Sequence, residues 1–174
     1  MTALKAHGAM TRRELLSRSA AAGAAFVVGA GWVAGSNAAW AMEVAHLKPE
    51  TMATLIQIAR DIYPHDHVPT EFYAVAVKGY DAEDKTAMVE AGIAALDAAA
   101  QGKGHAGYLA MGWERDRVDV LRGMEESAFF QTVRGGLVTG LYNQKEVWPL
   151  FGYEGESFSE GGYIDRGFND INWL

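Results

Sequence analysis

Apolar side chains spaced three and four residues apart, with no stretch of sustained strand-type alternation, constrain this chain to helices more strongly than any other feature. From Pro49 onward Met52, Leu55, Ile56, Ala59, Ile62 and Tyr63 keep that spacing. Pro49 suits a first-turn position and Pro64 ends the run, so a core-facing helix is expected here. After the loop Pro64-His65-Asp66-His67-Val68-Pro69, Thr70 to Lys78 is a short apolar segment of helical or mixed character, ended by Gly79. Asp81, with Asp84 three residues on, reads as an N-cap for an Ala-rich helix reaching Gln101 and closed by Gly102. Its expected inner stripe is Met88, Ala91, Ala95 and Ala98, small enough for another helix backbone to approach closely. Trp113, Val120, Leu121 and Met124 mark a further amphipathic helix, with Glu114, Arg115, Asp116 and Arg117 on its outer face. Ser127 fits a cap for a last helix ending at about Tyr142, with Phe130, Val133, Leu137 and Leu141 on one stripe that Phe129 and Val138 widen. Gly135-Gly136 inside it weakens the helix by roughly 1 kcal/mol per Gly and marks a kink or a close backbone contact. The expected fold is all-α: an irregular bundle of four or five helices over residues 42–148.

Residues 149–174 break this pattern. Phe151, Tyr153, Phe158, Tyr163, Phe168 and Trp173 are interleaved with Gly152, Gly155, Gly161, Gly162 and Gly167, without helical spacing. A disordered tail is depleted in aromatics, so these rings call for a surface to cover. That surface is either the chain's own bundle or a partner.

Residues 1–41 read as an export signal. Lys5, Arg12, Arg13 and Arg18 precede Ser19 to Met42, a run of 24 residues without a charge. The run is mostly Ala and Gly, too weakly apolar for a membrane span. Ala39-Trp40-Ala41 offers a small-x-small cleavage pattern after Ala41, and Ser36-Asn37-Ala38 offers a second. Thr11-Arg12-Arg13-Glu14-Leu15-Leu16 resembles a twin-arginine signal, which carries folded proteins; the plainer alternatives are a chance Arg pair in a general secretory signal or an uncleaved anchor. Cleavage removes four basic residues and one acid, leaving 11 basic against 21 acidic residues and a charge of about −10. Already at −7 for the whole chain, no nucleic-acid partner is expected, because phosphate contacts need a basic face.

Candidate chemistry is sparse. With no cysteine in the chain, disulfides, thiolate metal sites, covalently attached haem and cysteine nucleophiles are excluded. His65, Asp66 and His67 form the one ligand-competent cluster, with Asp61 and Glu71 near in sequence. A metal site there competes with a loop that caps helix ends and bonds its own backbone, and neither a four-ligand set nor HExxH is present. Gly102-Lys103-Gly104 lacks the strand and spacing of a phosphate loop, and no dinucleotide or nucleophile-elbow motif occurs. No catalytic, cofactor or metal residue is assigned. The aromatic arm from Trp148 to Trp173 supplies the residue types of interface hot spots, and stacked aromatics beside acids would also suit a sugar.

An export route for folded cargo sits oddly on a small helical domain with no cofactor of its own, unless the chain travels bound to a cofactor-loaded partner that lacks a signal. The residues Tyr142-Asn143 through Val147-Trp148, Phe151-Gly152-Tyr153-Glu154-Gly155, Gly161-Gly162-Tyr163 and the ending Gly167-Phe168-Asn169-Asp170-Ile171-Asn172-Trp173-Leu174 resemble the gluconate 2-dehydrogenase subunit 3 family. The Tyr63-Pro64-His65-Asp66 loop and the leader are similar too. The resemblance covers most of the mature chain and is specific mainly in its C-terminal thirty residues. It implies a small, non-catalytic subunit of membrane-associated sugar or alcohol dehydrogenases. The implied large partner is a flavoprotein of the glucose-methanol-choline oxidoreductase type holding FAD, from which electrons pass to a multihaem cytochrome c subunit with haem c. Carried over by position, Arg12 and Arg13, followed by Leu15 and Leu16, would be read by the twin-arginine translocase, and Trp148, Tyr153, Tyr163, Phe168 and Trp173 are the candidate partner contacts. The expected location is the periplasm, at the inner membrane through the complex. The rival expectation is a free-standing periplasmic metal-binding protein or enzyme using His65, Asp66 and His67.

Overall fold

The computed structural model describes residues 43–165 and 168, together with the backbone of 27–28 and 31–32. Within residues 1–42 only a two-residue antiparallel ladder is described, β1 (Val27–Val28) with β2 (Gly31–Trp32), an element that the helical periodicity does not foresee. Arg12, Arg13, Leu15, Leu16, both cleavage patterns and Trp173 lie outside the described residues. Elsewhere the described chain is all-α: α1 (Pro49–Ile62), α2 (Thr70–Val77), α3 (Glu83–Gly102), α4 (Glu114–Arg122) and α5 (Ala128–Tyr142), with a 3-10 turn between α2 and α3 (Lys78–Tyr80) and another between α3 and α4 (Tyr108–Ala110). No described helix is long and apolar enough to cross a membrane.

The first helix is central rather than peripheral. Pro49 stands in its first turn as expected, but every residue from Thr51 to Ala59 is buried: Ala53 and Ile58 flank the stripe of Met52, Leu55, Ile56 and Ala59, and Thr54 and Gln57 fill the side opposite it. The other four helices pack around it. Its polar side chains are satisfied in place: Thr54 Oγ1 donates to the Glu50 carbonyl at 2.8 Å, and Thr51 Oγ1 donates to Glu90 of α3 at 2.9 Å.

Three expectations about helix faces and ends are corrected. The buried stripe of α3 is Val89, Gly92, Ile93, Leu96 and Ala100, whereas Ala91, Ala95 and Ala98 face solvent and Met88 is half-buried. Branched side chains remove more apolar area from water than a methyl does, so they decide the helix's rotation. Close approach does occur, but at Gly92, where a Cβ would run into the Phe129 ring of α5. The helix ends in a Schellman turn: Gly104, at φ +86°, donates to the Gln101 carbonyl and His105 donates to that of Ala100, so Gly104 rather than Gly102 is the stop. At the other end Ala82, not Asp81, is the N-cap.

Asp81 instead holds the segment that leads into α1. Its carboxylate accepts the backbone N–H groups of Ala45 (2.8 Å), His46 (2.8 Å) and Leu47 (3.0 Å), and the Lys78 ammonium at 3.1 Å. Burial alone would raise its pKa, but these donors outweigh burial and hold it well below the usual carboxylate range. Glu90 does the same on a smaller scale, its pKa lowered against burial by the N–H of Lys48 and the Thr51 hydroxyl.

The short fourth helix is the remaining surprise. Trp113, expected on its inner stripe, is its N-cap residue and 78% exposed, whereas Arg117, expected outside, is buried. Arg117 grips Asp61 of α1 with both arms, Nε at 2.7 Å and Nη2 at 2.9 Å, and its Nη1 donates to the Met111 carbonyl at 2.9 Å. Tyr108 Oη (2.7 Å) and Gln57 Nε2 (2.9 Å) complete the shell of the same carboxylate. The bond to Asp61 raises the Arg117 pKa above its already high value, against burial, and burial beside that carboxylate pushes the Tyr108 hydroxyl far up, so it stays a donor.

The fifth helix follows its sequence closely. Ser127 Oγ accepts from the Phe130 N–H at 3.1 Å, and Phe129, Phe130, Val133, Leu137 and Leu141 are buried, with Val138 exposed instead of joining them. Gly136 leaves room for Tyr80, whose hydroxyl donates to the Thr132 carbonyl at 2.8 Å, and Gly140 faces the Ala76 carbonyl of α2. The glycines therefore serve close approach, with the helix unbroken.

Candidate docking site at the root of the C-terminal arm

The end of α5 is tied down before the arm leaves it. Gln144 Nε2 donates to the Gly140 carbonyl at 2.7 Å, which satisfies an orphan acceptor in the last turn of α5, and to the Phe72 carbonyl at 2.8 Å, which ties that end to the first turn of α2. A 3-10 turn at Trp148–Phe151 follows, with Pro149 in its first turn and Gly152 at φ +72° reversing the chain. Across this reversal the Trp148 indole N–H donates to the Tyr142 carbonyl at 2.7 Å and the Tyr153 N–H to the Trp148 carbonyl at 3.0 Å. The Trp148 and Tyr153 rings meet edge to face, with centroids 5.3 Å apart.

The histidine loop anchors this root. Phe151 lies against the rings of both His65 (4.9 Å, 80°) and His67 (5.0 Å, 76°). The His65 Nε2 atom is 2.6 Å from Tyr142 Oη, and Tyr73 Oη, which donates to the Tyr63 carbonyl at 2.6 Å, accepts the His65 N–H at 3.2 Å. Burial first, then electrostatic repulsion from the neighbouring His67, lowers the His65 pKa, which favours the neutral ring. Burial, with the Tyr63 and Tyr73 hydroxyls nearby, raises that of Tyr142. Among the described residues no three potential ligands converge into a metal-holding group. The loop's imidazoles are spent on an aromatic neighbour and a phenol hydroxyl.

Beyond the root the arm's side chains lose their cover. Trp148 is half-buried and Tyr153 exposed, but Phe158 is 94%, Ile164 84%, Phe168 82% and Tyr163 60% exposed. Of the five aromatic candidates for partner contact, then, Trp148 and Tyr153 form the fixed root, Tyr163 and Phe168 lie on the uncovered stretch, and Trp173 is outside the described residues. Ile164, Phe151 and the two histidines were not among the candidates. An interleaved aromatic and glycine sequence gives no sign of which ring will find His65 across the fold.

Compared with models of known families, with curated proteins and with solved structures, the chain finds no match in any of the three.

Proposed function

We propose that this chain is the small, non-catalytic subunit of a membrane-associated FAD-dependent sugar, polyol or sugar-acid dehydrogenase. It escorts the flavoprotein through the twin-arginine translocase and stays in the complex on the periplasmic side, where a multihaem cytochrome c subunit takes the electrons. One observation carries the reading: a stretch with Phe158, Tyr163, Ile164 and Phe168 stands uncovered by its own bundle, while the root of the same arm is pinned by hydrogen bonds and ring contacts. Apolar side chains held in this way on a fixed base suit a partner's pockets, where aromatics dominate binding energy. The resemblance of the C-terminal residues and the Arg12-Arg13 leader supports the choice of partner.

The test is made in cells that produce the chain with a flavoprotein encoded beside it. Replacing both Arg12 and Arg13 by Lys is expected to leave the flavoprotein in the cytoplasm, and the wild-type chain purified alone is expected to turn over no sugar. Export of the flavoprotein despite the substitution, or turnover or stoichiometric metal in the isolated chain, would overturn the reading.

A further inference from the structure

The arm's root encloses a cleft of about 350 Å3 lined by Tyr142, Asn143, Trp148, Phe151, Tyr153 and Glu156. Four aromatic rings, one amide and one carboxylate share this space, with no basic residue among the lining. Ring faces carry negative quadrupoles, so rings beside a carboxylate attract a cation from two directions. The chain already makes such an attachment at the rim. Lys145 Nζ sits 5.6 Å from the centroid of Trp148 and 3.2 Å from Glu156 Oε1. Both side chains of that ion pair are well exposed, and an exposed pair of this kind is weak enough to exchange.

We propose that this cleft is a subsite for an arginine side chain presented by the partner protein, which displaces Lys145 on docking. The partner is the one of the accessory-subunit reading, on which this step rests; the subsite itself is a property of the chain alone. A guanidinium is flat enough to stack on a ring, weakly hydrated, and forked to meet a carboxylate with two N–H groups. Around the cleft, residues 142–165 hold Glu146, Glu154, Glu156, Glu160 and Asp165 against Lys145 alone, a local acidic excess that draws a basic partner surface. A sugar ring is the competing occupant: Tyr142 Oη is already within 2.6 Å of His65 and the Trp148 indole N–H is taken by the Tyr142 carbonyl, which leaves Asn143, Tyr153 and Glu156 for its hydroxyls.

N-acetyl-L-argininamide, added to the full chain, probes the subsite without any partner. The reporter is the indole N–H resonance of Trp148, identified by its loss in Trp148→Phe. A saturable shift in the millimolar range is expected, weakened about five- to tenfold by Glu156→Gln. Lys145→Gln removes the internal competitor and is expected to tighten binding about two- to threefold, a gain that a merely structural lysine would not give. Methyl β-glucoside is expected to leave the resonance in place. Absence of a shift, an equal shift with the glucoside, or weaker binding in Lys145→Gln would overturn the proposal. Retention of the flavoprotein is the second readout. If Glu156→Gln weakens argininamide binding but not retention, the arginine does not come from that partner and the proposal fails, while the export test on Arg12 and Arg13 still decides the accessory role by itself.

Discussion

The bundle and the arm treat polar and apolar groups in opposite ways. Inside the bundle even a carboxylate is fully served: Asp61 takes donors from Arg117, Tyr108 and Gln57, on three separate segments. On the arm beyond its root, Phe158, Tyr163, Ile164 and Phe168 turn most of their surface to water. The bundle has thus used its residues to hold itself together, and the arm has kept its most adhesive ones available. On the accessory-subunit reading, stability and binding are divided between two stretches of one small chain, and substitutions should sort accordingly.

The largest effect is expected where the bundle is most tightly satisfied. Asp61→Asn leaves the Arg117 guanidinium buried without its counter-charge, and losing one partner of such a pair costs about 3–5 kcal/mol in urea unfolding. The double replacement Asp61→Leu with Arg117→Met should cost less than either single one, because no lone charge is left inside. It will not be neutral, since Tyr108 Oη and Gln57 Nε2 then lose their acceptor. A loss below about 1 kcal/mol in Asp61→Asn would mean that water reaches this pair and that the bundle is looser than its geometry implies.

A middle-sized effect belongs to Asp81, which ties residues 45–47 to the turn between α2 and α3. Its pKa in the folded chain is depressed from an ordinary 3.8, so the stability it contributes is fully present above about pH 4 and drains away as pH falls further. Asp81→Asn turns one acceptor into a donor facing backbone N–H groups of residues 45–47, and is expected to cost about 1–3 kcal/mol at pH 7. Urea unfolding between pH 3 and pH 7 should then show a flatter acid slope than the wild type. An unchanged slope would shift the acid sensitivity to Glu90, the other carboxylate held low by backbone and side-chain donors.

Much of the bundle was legible in the sequence because local rules decided it. Pro49 opening α1, Ser127 capping α5 and the stripe Phe130, Val133, Leu137 and Leu141 all follow from residue type and spacing. Positions decided by a neighbour distant in sequence were not legible. Arg117 reads as a surface charge until Asp61, 56 residues earlier, is known to sit beneath it. Asp81 reads as a helix cap because nothing local reveals that residues 45–47 return to it. The alanine stripe of α3 misled for another reason, since counting apolar positions ignores that Val89, Ile93 and Leu96 each bury more surface than an alanine. At the candidate site the sequence singled out the arm as a whole, and the contact of Phe151 with two histidines on the opposite loop came only with the fold.

The smallest effect on stability should come from the exposed apolar residues of the arm, to which the proposed function gives the largest part in assembly. Replacing Phe158, Ile164 and Phe168 together by Ser removes three large apolar side chains that are each at least 82% exposed, so unfolding should change by less than about 0.5 kcal/mol. The same three replacements are expected to cut retention of the flavoprotein on the tagged chain more than tenfold, because truncating even one hot-spot anchor costs about 2 kcal/mol or more. Leu137→Ala in α5 should do the reverse, costing about 2–5 kcal/mol of stability through the cavity it leaves while the arm keeps its side chains. If the triple variant instead unfolds more easily than the wild type, the arm covers its own bundle in solution, and the division between a self-contained core and an unspent arm does not hold.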